Sequence, residues 1–181
     1  GTERVTNYFG ATDGVREGHT REVIVDPSGL ALATGYEVDE LGRIVAVHHP
    51  RAIGAPPGRF ITRTTYHALD QVTATTSSQP FGFTMRRFYD GSGKLVREER
   101  DARDQAGGEL PDGPEVFTFE YDDELHLVEE TAGGTDVSRH LVKRHRYDCN
   151  GQQVLTILPN GNRIRYCHDE RQLQTAQVVA A

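Results

Sequence analysis

The chain has 181 residues, 36% hydrophobic and 26% charged, with a formal net charge of −7. That length allows one domain with a real core or several small stacked units, and the profile is neither disordered nor interrupted by an apolar run long enough to span a bilayer. The acidic balance argues against nucleic acid as a partner, and Cys149 and Cys167 are too few for a disulfide framework, so free thiols are expected. No signal peptide is visible, and a start at Gly1 is what a processed product or a piece of a longer chain gives.

Taken in chain order, one short pattern keeps returning. An acidic residue opens a turn, and three residues later a glycine or a substitute closes it. The pattern falls at Asp26 with Gly29, at Asp39 with Gly42 in "YEVDELGRIVAV", and in degenerate form at His67 with Asp70. It returns at Asp90 with Gly93 in "YDGSGKLVREE", at Asp122 with Leu125 in "YDDELHLVEE", at Asp148 with Gly151 in "YDCNGQQVLTIL", and at Asp169 with Gln172. Neighbouring openings lie 13, 28, 23, 32, 26 and 21 residues apart, irregular but in the range of one repeated supersecondary unit. Tyrosine directly precedes the opening at Tyr66, Tyr89, Tyr121 and Tyr147, and stands a little further upstream at Tyr36 and Tyr166. Six of the seven tyrosines are thereby in register.

This spacing is turn chemistry. Aspartate at the first position of a type I turn accepts hydrogen bonds from N–H groups two residues on, and glycine at the fourth supplies the left-handed conformation that closes a hairpin with a bulge. The flanks read as strands: "VFTFEY" (Val116 to Tyr121) alternates apolar and polar residues, and "GRIVAV" and "VLTIL" are apolar and β-branched. Asn160-Gly161 in "LPNGNRIRY" predicts a type I′ return turn. Helix signals are nearly absent, and "RQLQTAQVVAA" fits either a short helix or a frayed strand. Residues 48–59, 76–82 and 99–115, rich in Gly, Pro and charge, read as loops or insertions between hairpins. The expectation is an all-β chain, residues 1–181, of about seven degenerate antiparallel hairpins that pair edge to edge, since a lone hairpin is marginal.

The series Tyr-x-Tyr-Asp-x-x-Gly-Arg-Leu, on a period somewhat above twenty residues, resembles the YD repeat of Rhs proteins. The same repeat occurs in shell-forming parts of Tc toxin complexes, in wall-associated bacterial toxins and in teneurins. "YEVDELGRI" fits with Val38 for the second tyrosine, "YDGSGKL" with Lys94 for arginine, and "FEYDDELHL" with Leu125 where glycine belongs. The resemblance runs from about Val23 to Leu173. It implies a curved, spiralling ribbon of hairpins that is one segment of a hollow shell around a C-terminal toxin domain. It also implies a bacterial, secreted or cell-surface setting, with the rest of the shell and its cargo as partners and self-association of an isolated segment. The repeat residues are then architectural: Tyr36, Asp39, Gly42, Tyr89, Asp90, Gly93, Tyr121, Asp122, Tyr147, Asp148, Gly151, Tyr166 and Asp169. "VDPSGLALATGY" is similar to the family's shell-toxin junction, but repeats continue after it and it reads as an ordinary hairpin turn.

Chemistry-bearing alternatives fare less well. Aspartates at hairpin ends along a ribbon do not converge as a general acid and base must, and "DGSG" offers too few oxygens for calcium. Of eight histidines only His48 and His49 are adjacent, and neighbours on a strand point to opposite faces, so no metal is expected. Basic "HLVKRHRYD" and "GNRIRY" read as polar strand faces set against acidic "REERD" and "DDE". No nucleophile, phosphate-loop or dinucleotide motif occurs, so no enzyme and no cofactor are expected. The alternative is a cell-surface repeat module that binds carbohydrate or a protein partner; a hydrolase or protease decorated by repeats is a further rival for which no constellation stands out.

Overall fold

The computed structural model describes residues 3–50, 59–77, 82–101, 108, 113–134 and 136–180. The fold is all-β. Its strands are β1 (Arg4–Tyr8), β2 (Thr20–Val25), β3 (Leu32–Val38), β4 (Ile44–His48), β5 (Ile61–Tyr66), β6 (Val72–Thr76) and β7 (Thr84–Tyr89). They continue as β8 (Leu95–Arg100), β9 (Glu115–Tyr121), β10 (Leu127–Gly133), β11 (Leu141–Tyr147), β12 (Gln153–Ile157), β13 (Arg163–His168) and β14 (Gln174–Ala180). The fourteen strands are antiparallel and hydrogen-bonded in chain order. The chain divides into two compact units, with the boundary inside β7 after Arg86. Helical structure among the described residues is limited to 3-10 turns at Ala11–Arg16 and Val137–Arg139. Most of the expected insertions at 48–59 and 99–115, and part of 76–82, lie outside the described residues.

Two kinds of strand pair alternate, each with a fixed register. In β1–β2, β3–β4, β5–β6, β9–β10, β11–β12 and β13–β14, the residue before the turn faces the second strand just past it, as in Val38↔Ile44 and Tyr121↔Leu127. One residue is then passed over: Arg21, Val45, Thr73, Val128, Val154 and Thr175 in the six pairs. An extra residue at one place in each hairpin is a β-bulge, and a bulge raises local twist. The return pairs β2–β3, β4–β5, β6–β7, β8–β9, β10–β11 and β12–β13 carry no such shift. They all align alike: Glu22↔Gly35, Ala46↔Arg63, Ala74↔Arg86, Arg97↔Thr118, Glu129↔Arg144 and Leu155↔Arg165.

Burial is shallow, because no second layer covers the strands among the described residues. In the first unit the buried hydrophobic side chains are the small or β-branched Val23, Ala33, Val38 and Ala46. In the second, the buried side chains are polar: Glu98, His145 and Thr156. Leu30, Leu41, Leu69 and Leu173 at turns are all exposed.

Several sequence expectations need correction. Asp26 does not open a turn of the repeated kind. It joins β2 to β3, at the strand end opposite to the other aspartates, and itself takes φ 56°, with Ala31 at 49°. Gly29 has no positive φ; a side chain there would collide with the Asp26 carboxylate. Asn160-Gly161 is not a type I′ turn, since only Gly161 is left-handed (φ 87°) and its N–H bonds to the Leu158 carbonyl at 2.9 Å. A type I turn with a left-handed fourth residue serves at this return as well. The C-terminal segment resolves its ambiguity as strand β14.

The fourth residue of the turns after β3, β5, β7, β9, β11 and β13 is left-handed whatever its identity: Gly42 78°, Asp70 63°, Gly93 83°, Leu125 66°, Gly151 75° and Gln172 66°. Tertiary pairing holds Leu125 and Gln172 where a Cβ is disfavoured. Leu125→Gly should therefore raise stability by about 1 kcal/mol, read from denaturant unfolding, because an exposed leucine side chain gives up little on removal. Gly93→Val should lower it by about 1–2 kcal/mol through the same backbone region.

Candidate functional site

Each of these six turns is built by the same atoms. The fourth N–H donates to the first carbonyl, and the first N–H to the fifth carbonyl, all at 2.9–3.1 Å. At Asp39, Asp90, Asp122, Asp148 and Asp169, Oδ1 accepts the N–H groups of the third and fifth residues at 2.8–3.0 Å. One carboxylate oxygen thus satisfies two donors the turn leaves over. His67 manages half of this: its Nδ1 accepts from the Leu69 N–H at 2.8 Å while Nε2 lies 2.9 Å from Gln71 Oε1, the arrangement of the neutral Nε2–H tautomer.

The donors hold most of these carboxyls below the ordinary aspartate value of 3.8: chiefly the Arg43 side chain at Asp39, the Ser92 hydroxyl at Asp90, the His126 N–H at Asp122 and the Leu173 N–H at Asp169.

Three of the turns are joined to the turn before them by the tyrosine that directly precedes them. Tyr66 donates its hydroxyl to the Ile44 carbonyl at 2.9 Å, Tyr121 to Leu95 at 3.0 Å, and Tyr147 to Leu127 at 3.0 Å. In each case the acceptor is the sixth residue of the preceding turn. The fifth residue of that turn covers the same ring: the Arg43 guanidinium sits 4.8 Å from the Tyr66 centroid, Lys94 Nζ 5.6 Å from that of Tyr121, and His126 stacks on Tyr147 at 4.6 Å. Arg43 adds further stitches, bonding Asp39 Oδ2 behind it and the His67 carbonyl and Asp70 Oδ1 ahead. Burial, then the nearby aspartates Asp90 and Asp122, push the Tyr121 and Tyr147 hydroxyls up, so they stay protonated donors.

The β1–β2 connection belongs to the same series, which sequence reasoning missed. Gly18 donates to the Phe9 carbonyl at 3.1 Å and Phe9 to the His19 carbonyl at 2.9 Å, with Gly18 at φ 79°. Phe9, Gly18 and His19 are therefore the first, fourth and fifth residues of a turn with extra residues inserted, and Tyr8 is the tyrosine before it. His19 stands against Gly42 of the next turn as His126 stands against Gly151. The signal was there in "NYFG" and "GH", but the insertion hides the spacing.

Other expected residues are placed differently. Tyr36 and Tyr166 lie opposite Val47 and Gln177 in mid-strand, and the Tyr166 hydroxyl is 3.4 Å from Thr156 Oγ1. Tyr89, Asp90 and Gly93 build the β7–β8 turn. His48 bonds Glu37 and His49 bonds Thr62, so the adjacent pair serves separate partners. The basic run of β11 pairs with β10 rather than with "DDE": Arg144 with Glu129 at 2.7 Å and Lys143 with Glu130 at 3.4 Å. Buried His145 bonds Glu130 at 3.1 Å, and its other ring nitrogen faces Gln153 at 2.9 Å. Glu98 is wedged between Arg87 and Arg100, at 2.9 and 2.6 Å. Burial pushes its carboxyl up, but the two guanidinium groups outweigh it and hold the carboxyl low. Cys149 and Cys167 are free and exposed, and no group of three His, Cys, Asp or Glu is arranged to hold a metal among the described residues.

Two measurements probe this seam. Tyr121→Phe and Tyr147→Phe should each cost about 1 kcal/mol in denaturant unfolding, since the half-buried acceptor carbonyl is left short of a donor. Acidification should destabilise the fold: a carboxyl whose folded value is depressed contributes fully above the unfolded value, and that contribution is lost as pH falls from 3.8 through the lower folded value. Asp90→Asn, which keeps an acceptor oxygen but not the charge, should flatten that loss in unfolding curves taken across the acid range.

No family model matches the chain, and no curated protein is similar in sequence. Solved structures are similar in fold. Crystal structures of TcdB2-TccC3 with Cdc42, of TcdB2-TccC3 alone and of TcdB2-TccC3 without its hypervariable C-terminal region each superpose with a TM-score of 0.51 over 98% of this chain. Identity is 10%, 11% and 10%, and the match covers 10%, 11% and 10% of those chains. This chain therefore spans about a tenth of their length, and what it has in common with these structures is the antiparallel hairpin fold.

Proposed function

We propose that residues 1–181 form one run of YD-type repeats serving as a non-catalytic structural segment of a toxin shell that encapsulates a toxin domain. In this reading Tyr36, Asp39, Gly42, Tyr89, Asp90, Gly93, Tyr121, Asp122, Tyr147, Asp148, Gly151, Tyr166 and Asp169 are the building residues of the repeat. Its partners are the rest of the shell and the enclosed cargo, and the assembly is delivered outside the cell that makes it. The observation that carries the reading is the seam itself. Three turns each hand a carbonyl and a covering side chain to the tyrosine of the next, and nothing in that device limits the number of turns. The likeness in fold to TcdB2-TccC3 supports it.

The shell reading has a direct test in limited proteolysis of the full parent polypeptide. Its non-repeat domain should resist protease at least tenfold longer in the intact protein than in a Tyr121→Ala, Tyr147→Ala variant, or than when expressed alone. Equal cleavage rates in all three would overturn enclosure. Tight binding of a glycan array ligand by an intact chain whose other domain is freely cleaved would favour the adhesion alternative.

A further inference from the structure

The basic runs of β11 and β13 leave a charge pattern that the turns do not use. Strands β11 to β14, all within the second unit, carry Lys143, Arg144, Arg146, Arg163 and Arg165 and not one aspartate or glutamate. The whole chain, by contrast, is acidic, with 20 Lys and Arg against 27 Asp and Glu. Lys143 and Arg144 pair with Glu130 and Glu129 of β10. Arg146, Arg163 and Arg165 are exposed and have neither a side-chain hydrogen bond nor an ion pair among the described residues.

Strand register gathers these arginines on one face. Arg144↔Ile157 continues as Ile157↔Arg163, and Arg146↔Leu155 continues as Leu155↔Arg165. Directly opposed residues project from the same side of a sheet, so two rows of arginine, apolar residue and arginine lie next to each other. Two strand spacings put the arginines of a row about 10 Å apart, and alternate residues of β13 stand about 7 Å apart. Buried His145 and Thr156, paired with each other, belong to the opposite face. Basic residues often guard a bare sheet edge, but β11, β12 and β13 are interior strands with a neighbour on both sides. Repulsion among three like charges on one face is therefore a cost that no contact among the described residues offsets.

We propose that this face is a docking surface for an extended acidic segment of a partner polypeptide. Alternate residues of an extended peptide repeat at the same step of about 7 Å, so two carboxylates two positions apart meet Arg163 and Arg165 together. Each guanidinium grips a carboxylate through two parallel N–H donors, a geometry that lysine does not copy. Arg146 takes a third acidic group, and half-buried Leu155 and Ile157 give the middle of the surface an apolar footing. A nucleic-acid strand fits less well. The six positions hold no aromatic ring for bases to stack on, and the net charge of −7 repels a long run of phosphates. The inference stands on a face inside the sheet and not on enclosure of any cargo, so either can fail without the other.

The test is fluorescence anisotropy of a labelled Gly-Glu-Thr-Glu-Thr-Glu-Gly peptide titrated with the full parent polypeptide. Binding should saturate, and the same peptide with glutamine in place of glutamate should not bind. Arg163→Gln together with Arg165→Gln should weaken binding roughly tenfold through two lost charge-assisted forks, while the unfolding midpoint stays unchanged. Arg163→Lys together with Arg165→Lys should weaken it about threefold, since the charge remains and the fork is lost. Arg139→Gln should change nothing, because that exposed arginine already pairs with Asp136 away from the two rows. No saturable binding, equal weakening by Arg139→Gln, or tighter binding of a short single-stranded DNA or a sulfated oligosaccharide that depends on the same arginines would each overturn the proposal.

Discussion

A tyrosine hydroxyl donated to a main-chain carbonyl one turn back, seen three times among the described residues, is the contact that ties successive hairpins together beyond their strand pairing. Because the acceptor is backbone, the residue that owns it is free to vary, and Ile44, Leu95 and Leu127 serve equally. The covering residue needs only a side chain able to lie on a ring, and arginine, lysine and histidine all do so. The repeat can therefore drift in sequence while its geometry holds. What cannot drift is the left-handed fourth residue, since only that conformation brings the fifth and sixth residues round to meet the next tyrosine.

The backbone carries this burden because a single layer of strands offers little else. Four buried apolar residues among those described do not make a core of ordinary depth. The second unit instead buries polar groups that are fully engaged: Glu98 between two arginines, and His145 between Glu130 and Gln153. Such clusters contribute modestly when complete and cost several kcal/mol when one member is lost.

Nearest-neighbour coupling also explains what the architecture tolerates. The β1–β2 turn holds a 3-10 segment, Ala11–Arg16, between its first and fourth residues and still closes with the same pair of hydrogen bonds. Lengthening a loop whose ends are pinned costs little, so variation collects there and leaves the seam intact.

The sequence by itself determined the strand-and-turn grammar, because its bonds close within five residues. Aspartate, then an N–H two and four residues on, then a left-handed residue is a local object, legible even at Leu125 and Gln172 where glycine is missing. The all-β class followed from it. The ends of strands were not legible: Asp26 has the same spacing to Gly29 as Asp39 has to Gly42, yet it turns the chain at the opposite end, and only pairing tells the two ends apart. Asn160-Gly161 likewise left its turn type to the strands on either side, which set the φ of Asn160. The repeat at Tyr8, Phe9 and Gly18 was hidden because its bonds span an insertion rather than a fixed spacing. Above all, the partners of the tyrosines lie 20 to 26 residues away, at Ile44, Leu95 and Leu127. Pattern put the tyrosines in register; which carbonyl each would reach was decided by the bulges and the uniform return pairing, which exist only once the strands have come together.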